Sequence, residues 1–313
     1  MKIWRWIASI ALSITIGFFI VAAFVYSPEE ATVQPPTETE EETQETEEQE
    51  ILKEPIEEEP PDEELEDPAE TEEPTFREGI RDVFTSVIES AKDLFIREDL
   101  HITALGDSLT QGVGDATDKG GYVGILDQTF DSNPNAGDVE IDNFGKRGNR
   151  TDQLLKRLNN EEEITNSIEQ SDIAIITIGA NDVMEVVQDN FTNLNYQAFV
   201  EAQEGYEERL GEILRTVNET NPDASIYLVG LYNPFNAYFN NIPELGQIMN
   251  DWNDISRQVV EESNRTTFIP IKDLFENSSE NLLWEEDYFH PNERGYKRIA
   301  ERVLEYIKED IER

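Results

Sequence analysis

The chain contains no cysteine, only two histidines, and 24 lysines and arginines against 69 aspartates and glutamates. Each scarcity excludes something. Without cysteine there is no disulfide, no thiolate metal site, no cysteine nucleophile and no lipobox-type lipid anchor. The formal net charge of -45 excludes nucleic acid as a partner, because a phosphate backbone is bound by clustered lysine and arginine. The same sign disfavours docking on anionic lipid head groups, and it suits a protein facing a salty or alkaline exterior. At 313 residues the chain is long enough for one sizeable domain plus appendages, held by its apolar core alone.

What is present is unevenly spread. Lys2 and Arg5 precede an uncharged run from Ile7 to Tyr26, and Glu29 and Glu30 come after it. About 20 apolar residues cross a bilayer, and flanking cations stay on the cytoplasmic side. Residues 1–26 are therefore expected to be an uncleaved membrane anchor, with a cleaved signal peptide as the alternative, since h-regions are usually shorter. Either way the remainder lies outside the membrane. Ser27 to Thr75 holds 22 acidic residues and one base, Lys53. Such a segment cannot bury enough apolar surface to fold, and its like charges extend it. Residues 27–76 read as a disordered stalk, or alternatively as an acidic tail binding cations or wall polymers.

Residues 77–313 read as the folded domain. IRDVFTSVIESAKDLF places Ile80, Val83, Phe84, Val87, Ile88 and Leu94 near helical spacing, so this helix is expected to lean on the strands and helices C-terminal to it. Five short apolar runs are strand candidates: His101–Leu105, Val139–Phe144, Ile173–Gly179, Ser225–Leu231 and Thr267–Ile271. Helical patterns separate them near Tyr122–Phe130, Asp152–Leu158, Phe199–Asn218 and Leu245–Glu262, and a last one runs from Asn292 to Ile311. IAIITI is apolar on both faces, which argues for a parallel sheet covered by helices on each side. The expected fold is an α/β doubly wound three-layer α/β/α sandwich with a five-stranded parallel sheet. No internal repeat is apparent.

In such a sheet the chemistry collects in loops at the carboxyl ends of the strands. Those loops read Gly106-Asp107-Ser108-Leu109, then NFGKRGNRT with Gly145 and Gly148, then Gly179-Ala180-Asn181-Asp182, then DYFHPN with Asp287 and His290. A serine hydroxyl becomes a nucleophile only when a base takes its proton. Of the two histidines, His101 stands at the start of the first strand, at the far end of the sheet from Ser108, which leaves His290. Asp287, three residues ahead of it, can hold the ring's tautomer and stabilise the imidazolium. The oxyanion of a tetrahedral intermediate needs donors. Candidates are the backbone N–H groups of Ser108 and Gly148 and the side-chain amide of Asn181. Ser108 could instead be only a helix N-cap, and Asn181 with Asp182 only a turn pair. Asp107 reads as structural, and Lys146 and Arg147 as loop cations that could meet an anionic substrate.

Taken together and in this order, the four blocks resemble those of the SGNH hydrolases, the GDSL esterases and lipases. The family's signature residues map onto Ser108, Gly148, Asn181 and His290, with Asp287 in its D-x-x-H block. Spacing from Asn143 favours Gly148 over Gly145, and Ala180 stands where many relatives carry glycine. The resemblance implies a flavodoxin-like fold, a metal-independent serine mechanism without cofactor, and acyl-ester substrates. It leaves two substrate readings, fatty-acyl esters such as lysophospholipids or acetyl groups on cell-wall carbohydrate. A hydrolase scaffold that only binds, or a cell-surface interaction driven by the stalk, is the non-enzymatic alternative. The aromatics of Tyr232–Pro243 and Trp284–Phe289 either line an acyl or sugar pocket or pack a long insertion.

Overall fold

A computed structural model of the chain describes Val87, Ala91, Leu94 and residues 96–312, except 191 and 236–242. The expected membrane segment, the acidic stalk, most of the Ile80–Leu94 helix and the middle of the Tyr232–Pro243 loop lie outside the described residues. Val87 and Ala91 are helical. With Leu94 they sit fully or almost fully buried against the domain at a spacing of four and three residues.

Five strands form one sheet: β1 (Leu100–Gly106), β2 (Val139–Gly145), β3 (Ile173–Thr177), β4 (Ser225–Val229) and β5 (Thr266–Ile269). All neighbours are parallel, in the order β2-β1-β3-β4-β5. β-branched and apolar side chains alternate between two buried faces. Ala174 and Ile176 of β3, with Ile226 and Leu228 of β4, pack under one helical layer. Ile173, Ile175, Tyr227 and Val229 pack under the other. This period of two is why a strand buried on both sides reads as a continuous apolar run.

The first layer contains α3 (Thr151–Asn160), α4 (Glu162–Gln170), α5 (Ala180–Asp189), α6 (Tyr196–Thr220) and α7 (Pro243–Glu261). The second contains α2 (Gly121–Asp131) and α9 (Glu293–Ile311). Short helices α1 (Ser108–Gln111) and α8 (Lys272–Glu276) complete the set. The three-layer α/β/α sandwich is as expected from the sequence, with strand limits shifted by a residue or two. Besides the short α1 and α8, two longer helices went unexpected. α4 presents only Ile164 and Ile168 to the core, too few apolar positions to register as a periodic stripe. α5 carries Val183, Val186 and Val187 inward, β-branched residues that weaken a helical signal.

Chain connections run outward from β1 to β2, then return past β1 to β3. The loops after β1 and β3 therefore diverge, and a crevice opens between them at the carboxyl end of the sheet. Among the described residues no helix is long and apolar enough to cross a membrane.

Trp252 of α7 anchors the first layer, fully buried between the rings of Tyr206 (centroids 5.7 Å apart) and Phe199 (6.3 Å). Its indole Nε1 is buried without a hydrogen-bond partner. Trp252→Ala should cost about 3–5 kcal/mol in urea unfolding. Trp252→Phe should cost far less, because it deletes an unpaired donor whose burial opposes folding by about 1–3 kcal/mol.

Candidate active site

β1 ends in a glycine because no other residue fits. Gly106 has φ +145, and a Cβ on it would lie 2.1 Å from the carbonyl oxygen of Thr177 at the end of β3. That contact brings the two strand ends together and hands the chain to a tight turn. Asp107 caps α1: its Oδ1 accepts from the Leu109 N–H at 2.9 Å. Its own N–H donates to the Thr177 carbonyl at 3.1 Å. The cap is thus Asp107, and Ser108 opens the helix as its first residue.

His290 is the residue that meets Ser108, with Nε2 2.9 Å from Oγ across 182 positions of sequence. On its other side Nδ1 lies 2.5 Å from Asp287 Oδ2. Asp287 Oδ1 also accepts the N–H groups of Phe289 and His290, each at 3.0 Å. One carboxylate therefore shapes the turn and holds the ring. Tyr288, between them, takes φ +52. The Tyr232 hydroxyl donates to the Phe289 carbonyl at 2.6 Å, and its ring stacks on Phe275 at 4.1 Å. From α9, the Tyr296 hydroxyl donates to the Val113 carbonyl at 2.6 Å, which ties the chain after α1 to the last helix. Burial pushes the Asp287 carboxyl up. The hydrogen bond and charge of His290, with the two backbone donors, outweigh it and leave the group below its ordinary range.

The end of β2 and the loop after it are fastened to the end of β1 and to α1 by three hydrogen bonds. The Lys146 N–H donates to the Gly106 carbonyl at 3.0 Å. Arg147 N–H donates to Gln111 Oε1 at 2.6 Å, and Asn143 Nδ2 to the Thr110 carbonyl at 2.9 Å. Gly145 is a packing glycine, since its Cβ would meet Gln111 N at 2.2 Å. Gly148 has φ +82 with open space where a Cβ would be, so its backbone can approach a ligand closely. Asn181 lies in the first turn of α5, not in a plain turn, and its Nδ2 donates to the Asn149 carbonyl at 2.9 Å. The NH₂ group has a second hydrogen left for a ligand.

His101 is not at this site. It lies near the start of β1, with Nε2 3.0 Å from Asp142 Oδ2. Asp182 is a structural link, accepting the Thr151 N–H at 3.0 Å and the Thr151 hydroxyl at 2.5 Å, with Arg209 3.2 Å away. Among the described residues no group of three or more histidine, aspartate or glutamate side chains could hold a metal ion.

Sequence reasoning missed the support beneath Ser108. Thr177 donates to Asp107 Oδ1 at 3.0 Å and lies 2.7 Å from the Thr110 hydroxyl, which lies 3.1 Å from Tyr122 OH. Isolated threonines carry no sequence signal for such a chain of hydroxyls. Beside Ser108 and His290 opens a cleft lined by Ile178, Val183, Met184, Leu231, Phe235, Met249 and Phe289. Its walls are mostly apolar, the lining that buries apolar parts of a ligand.

Residues 104–298 match the GDSL-like Lipase/Acylhydrolase family, and the chain belongs to it. Its chemistry is therefore of the ester-hydrolysing class. An uncharacterized protein of Bacillus subtilis (strain 168), YpmR, is 35% identical over 223 residues, covering 71% of this chain and 87% of its own. The spore germination lipase LipC of Bacillus licheniformis is 28% identical over 208 residues, covering 65% and 94%. Among solved structures, the lipase Lip_vut3 from a goat rumen metagenome superposes with a TM-score of 0.59 at 26% identity, over 67% of this chain and 98% of that one. The acetylxylan esterase Axe2 of Geobacillus stearothermophilus shares the fold, with a TM-score of 0.54 at 22% identity over 68% and 96%.

Burial pushes the Asp107 carboxyl up to about 6, against the Leu109 and Thr177 donors that favour its charged form. The unfolded chain releases this proton near pH 4. Between these two values the folded state holds a proton the unfolded state has lost, so stability falls as pH rises through the window. Asp107→Asn still caps the turn and cannot titrate. The stability of the variant relative to wild type should rise by roughly 3 kcal/mol between pH 4 and pH 7 in urea unfolding, as the shift requires.

Proposed function

We propose that this chain is a metal-independent serine esterase acting outside the cytoplasmic membrane. The observation that carries the reading is the line of contacts from Ser108 Oγ through the His290 ring to Asp287, at 2.9 and 2.5 Å. His290 Nε2 takes the Ser108 proton as Oγ bonds to the ester carbonyl carbon. Oxyanion charge is met by the N–H groups of Ser108 and Gly148 and the Asn181 amide, each such donor being worth about 3–4 kcal/mol in known sites. The carbon–oxygen bond to the alcohol then breaks, and imidazolium returns its proton to that oxygen. Water, deprotonated by the same ring, hydrolyses the acyl-enzyme and restores the serine. Asp287, held below its ordinary range by the histidine, stays ionised and supports the cation.

The acyl group is assigned to the cleft between α5 and α7. That assignment favours an apolar acyl group, and the lipase names of LipC and Lip_vut3 point the same way. An intact set of contacts also favours catalysis over a scaffold that only binds. The uncharged run Ile7–Tyr26 and the acidic segment behind it support an anchor and stalk that hold the enzyme at the outer face of the membrane.

Full-length protein should hydrolyse p-nitrophenyl acetate, butyrate or laurate, and Ser108→Ala, folded by circular dichroism, should fall at least about a hundredfold in kcat/KM. Equal activity in the variant would remove Ser108 as nucleophile. A chain beginning at residue 27 should leave the membrane fraction on sedimentation while kcat/KM for a soluble ester changes by less than about twofold, since an anchor contributes membrane affinity and no chemistry.

A further inference from the structure

Two of the three oxyanion donors, the Gly148 N–H and the Asn181 amide, come from strands that do not touch. Gly148 follows β2 and Asn181 follows β3, and in the order β2-β1-β3-β4-β5 the strand β1 lies between them. β2 and β3 are thus two strand spacings apart, about 10 Å, and no backbone ladder joins them. Oxyanion donors act together only when they converge on one point, at about 2.7–3.1 Å from it. Some contact must therefore set the span across β1.

Side chains supply it. Asn181 Nδ2 donates to the carbonyl of Asn149, the residue after Gly148, at 2.9 Å. The residue after Asn181 makes the stronger link. Asp182 Oδ2 accepts the Thr151 N–H at 3.0 Å, and Oδ1 accepts the Thr151 hydroxyl at 2.5 Å. Thr151 is fully buried and Asp182 only 4% exposed. Arg209 of α6 closes the group, its Nε donating to the Thr151 hydroxyl at 2.7 Å and its Nη2 to Asp182 Oδ1 at 3.2 Å. Thr151 and Asp182 stand in the first turns of α3 and α5. One carboxylate thus ties two helix starts together, with an oxyanion donor close to each. A second bridge over the same gap, Arg150 to Glu185 at 3.1 Å, is solvent-exposed, where an ion pair contributes little.

Resting on the esterase reading, we propose that Asp182, acting through Thr151, is a positioning residue that sets the span between the Gly148 N–H and the Asn181 amide. A carboxylate that only held the fold together would leave the turnover of folded enzyme unchanged. One that aligns oxyanion donors governs kcat, because those donors act on the transition state more than on the bound ester. Asp182→Asn has one acceptor oxygen, so its NH₂ faces a donor, either the Thr151 N–H or Arg209. The test uses full-length protein on p-nitrophenyl butyrate, each variant shown to be folded by circular dichroism at the assay temperature. For Asp182→Asn kcat should fall at least about tenfold with KM within about threefold, since misplacing a reacting group by about 1 Å costs on the order of a hundredfold. Butylboronic acid, whose serine adduct is tetrahedral and anionic, should bind more weakly by a similar factor. Thr151→Val, without the hydroxyl, should lose at least about threefold in kcat, while Thr151→Ser, which keeps it, stays within about twofold of wild type. In an Asn181→Ala background, where one aligned donor is gone, Asp182→Asn should cost less than about a third of the factor it costs alone. Wild-type kcat in folded Asp182→Asn overturns the proposal, as does a loss carried wholly by KM or an equal cost in both backgrounds. If Asp182→Asn does not fold, the Thr151 variants decide, and equal kcat in the valine and serine forms overturns it. Ser108→Ala reports separately on the esterase reading. Its activity, if retained, removes that reading, whereas an inactive Ser108→Ala beside a fully active Asp182→Asn removes only the positioning role.

Discussion

At the end of β1 the carbonyl oxygen of Thr177 occupies the space that any side chain on residue 106 would need. Everything at the site depends on that approach. It draws β1 and β3 together just where the chain connections diverge. The Asp107 N–H then reaches the same carbonyl, while its carboxylate takes the Thr177 hydroxyl and the Leu109 N–H. Ser108 is thereby presented on a turn bolted to the strand that leads, four residues later, to Asn181. A second close approach repeats the device, since Gly179 at φ +118 leaves room for the Tyr206 hydroxyl. Ser108 and the Asn181 amide are positioned by close approaches that a side chain on Gly106 or Gly179 would block.

The histidine comes from far away and is held by other means. Its loop is shaped by one carboxylate bonding two backbone N–H groups, and it is pinned by Tyr232. The two aspartates near Ser108 live in opposite environments. Asp287 faces a ring that can carry charge and is held low. Asp107 lies under the turn, almost fully buried, and is pushed up. Environments that separate two carboxyl groups in this way also separate their tasks. In the proposed reaction the first supports a cation on His290, and the second braces the turn.

Much of this was legible in the sequence. β3 and β4 read clearly because both their faces are buried, and the order of the four blocks pointed to the loops that converge. What escaped detection has physical reasons. α4 has two buried isoleucines and one buried serine on its inner face, so amphipathic periodicity had little to work on. α5 begins inside the Gly179-Ala180-Asn181 block, and a block read for its chemistry concealed a helix start. Thr177, Asn143 and Gln111 are common polar residues whose partners lie 33 to 70 positions away, and no local pattern marks them.

The sequence by itself pointed to the five-stranded parallel sheet through its buried β-branched runs, to Ser108, Asp287 and His290 as candidates through turn glycines and scarce histidines, and to the class of chemistry through the resemblance that the order of the four blocks carries. Only the tertiary structure decided how these parts are braced. It assigned the helix cap to Asp107 and separated Gly145 as a packing glycine from Gly148 facing open space. Those distinctions depend on distances between strand ends and on which flank of β1 each loop leaves, quantities set by the sheet order and not by any local stretch of residues.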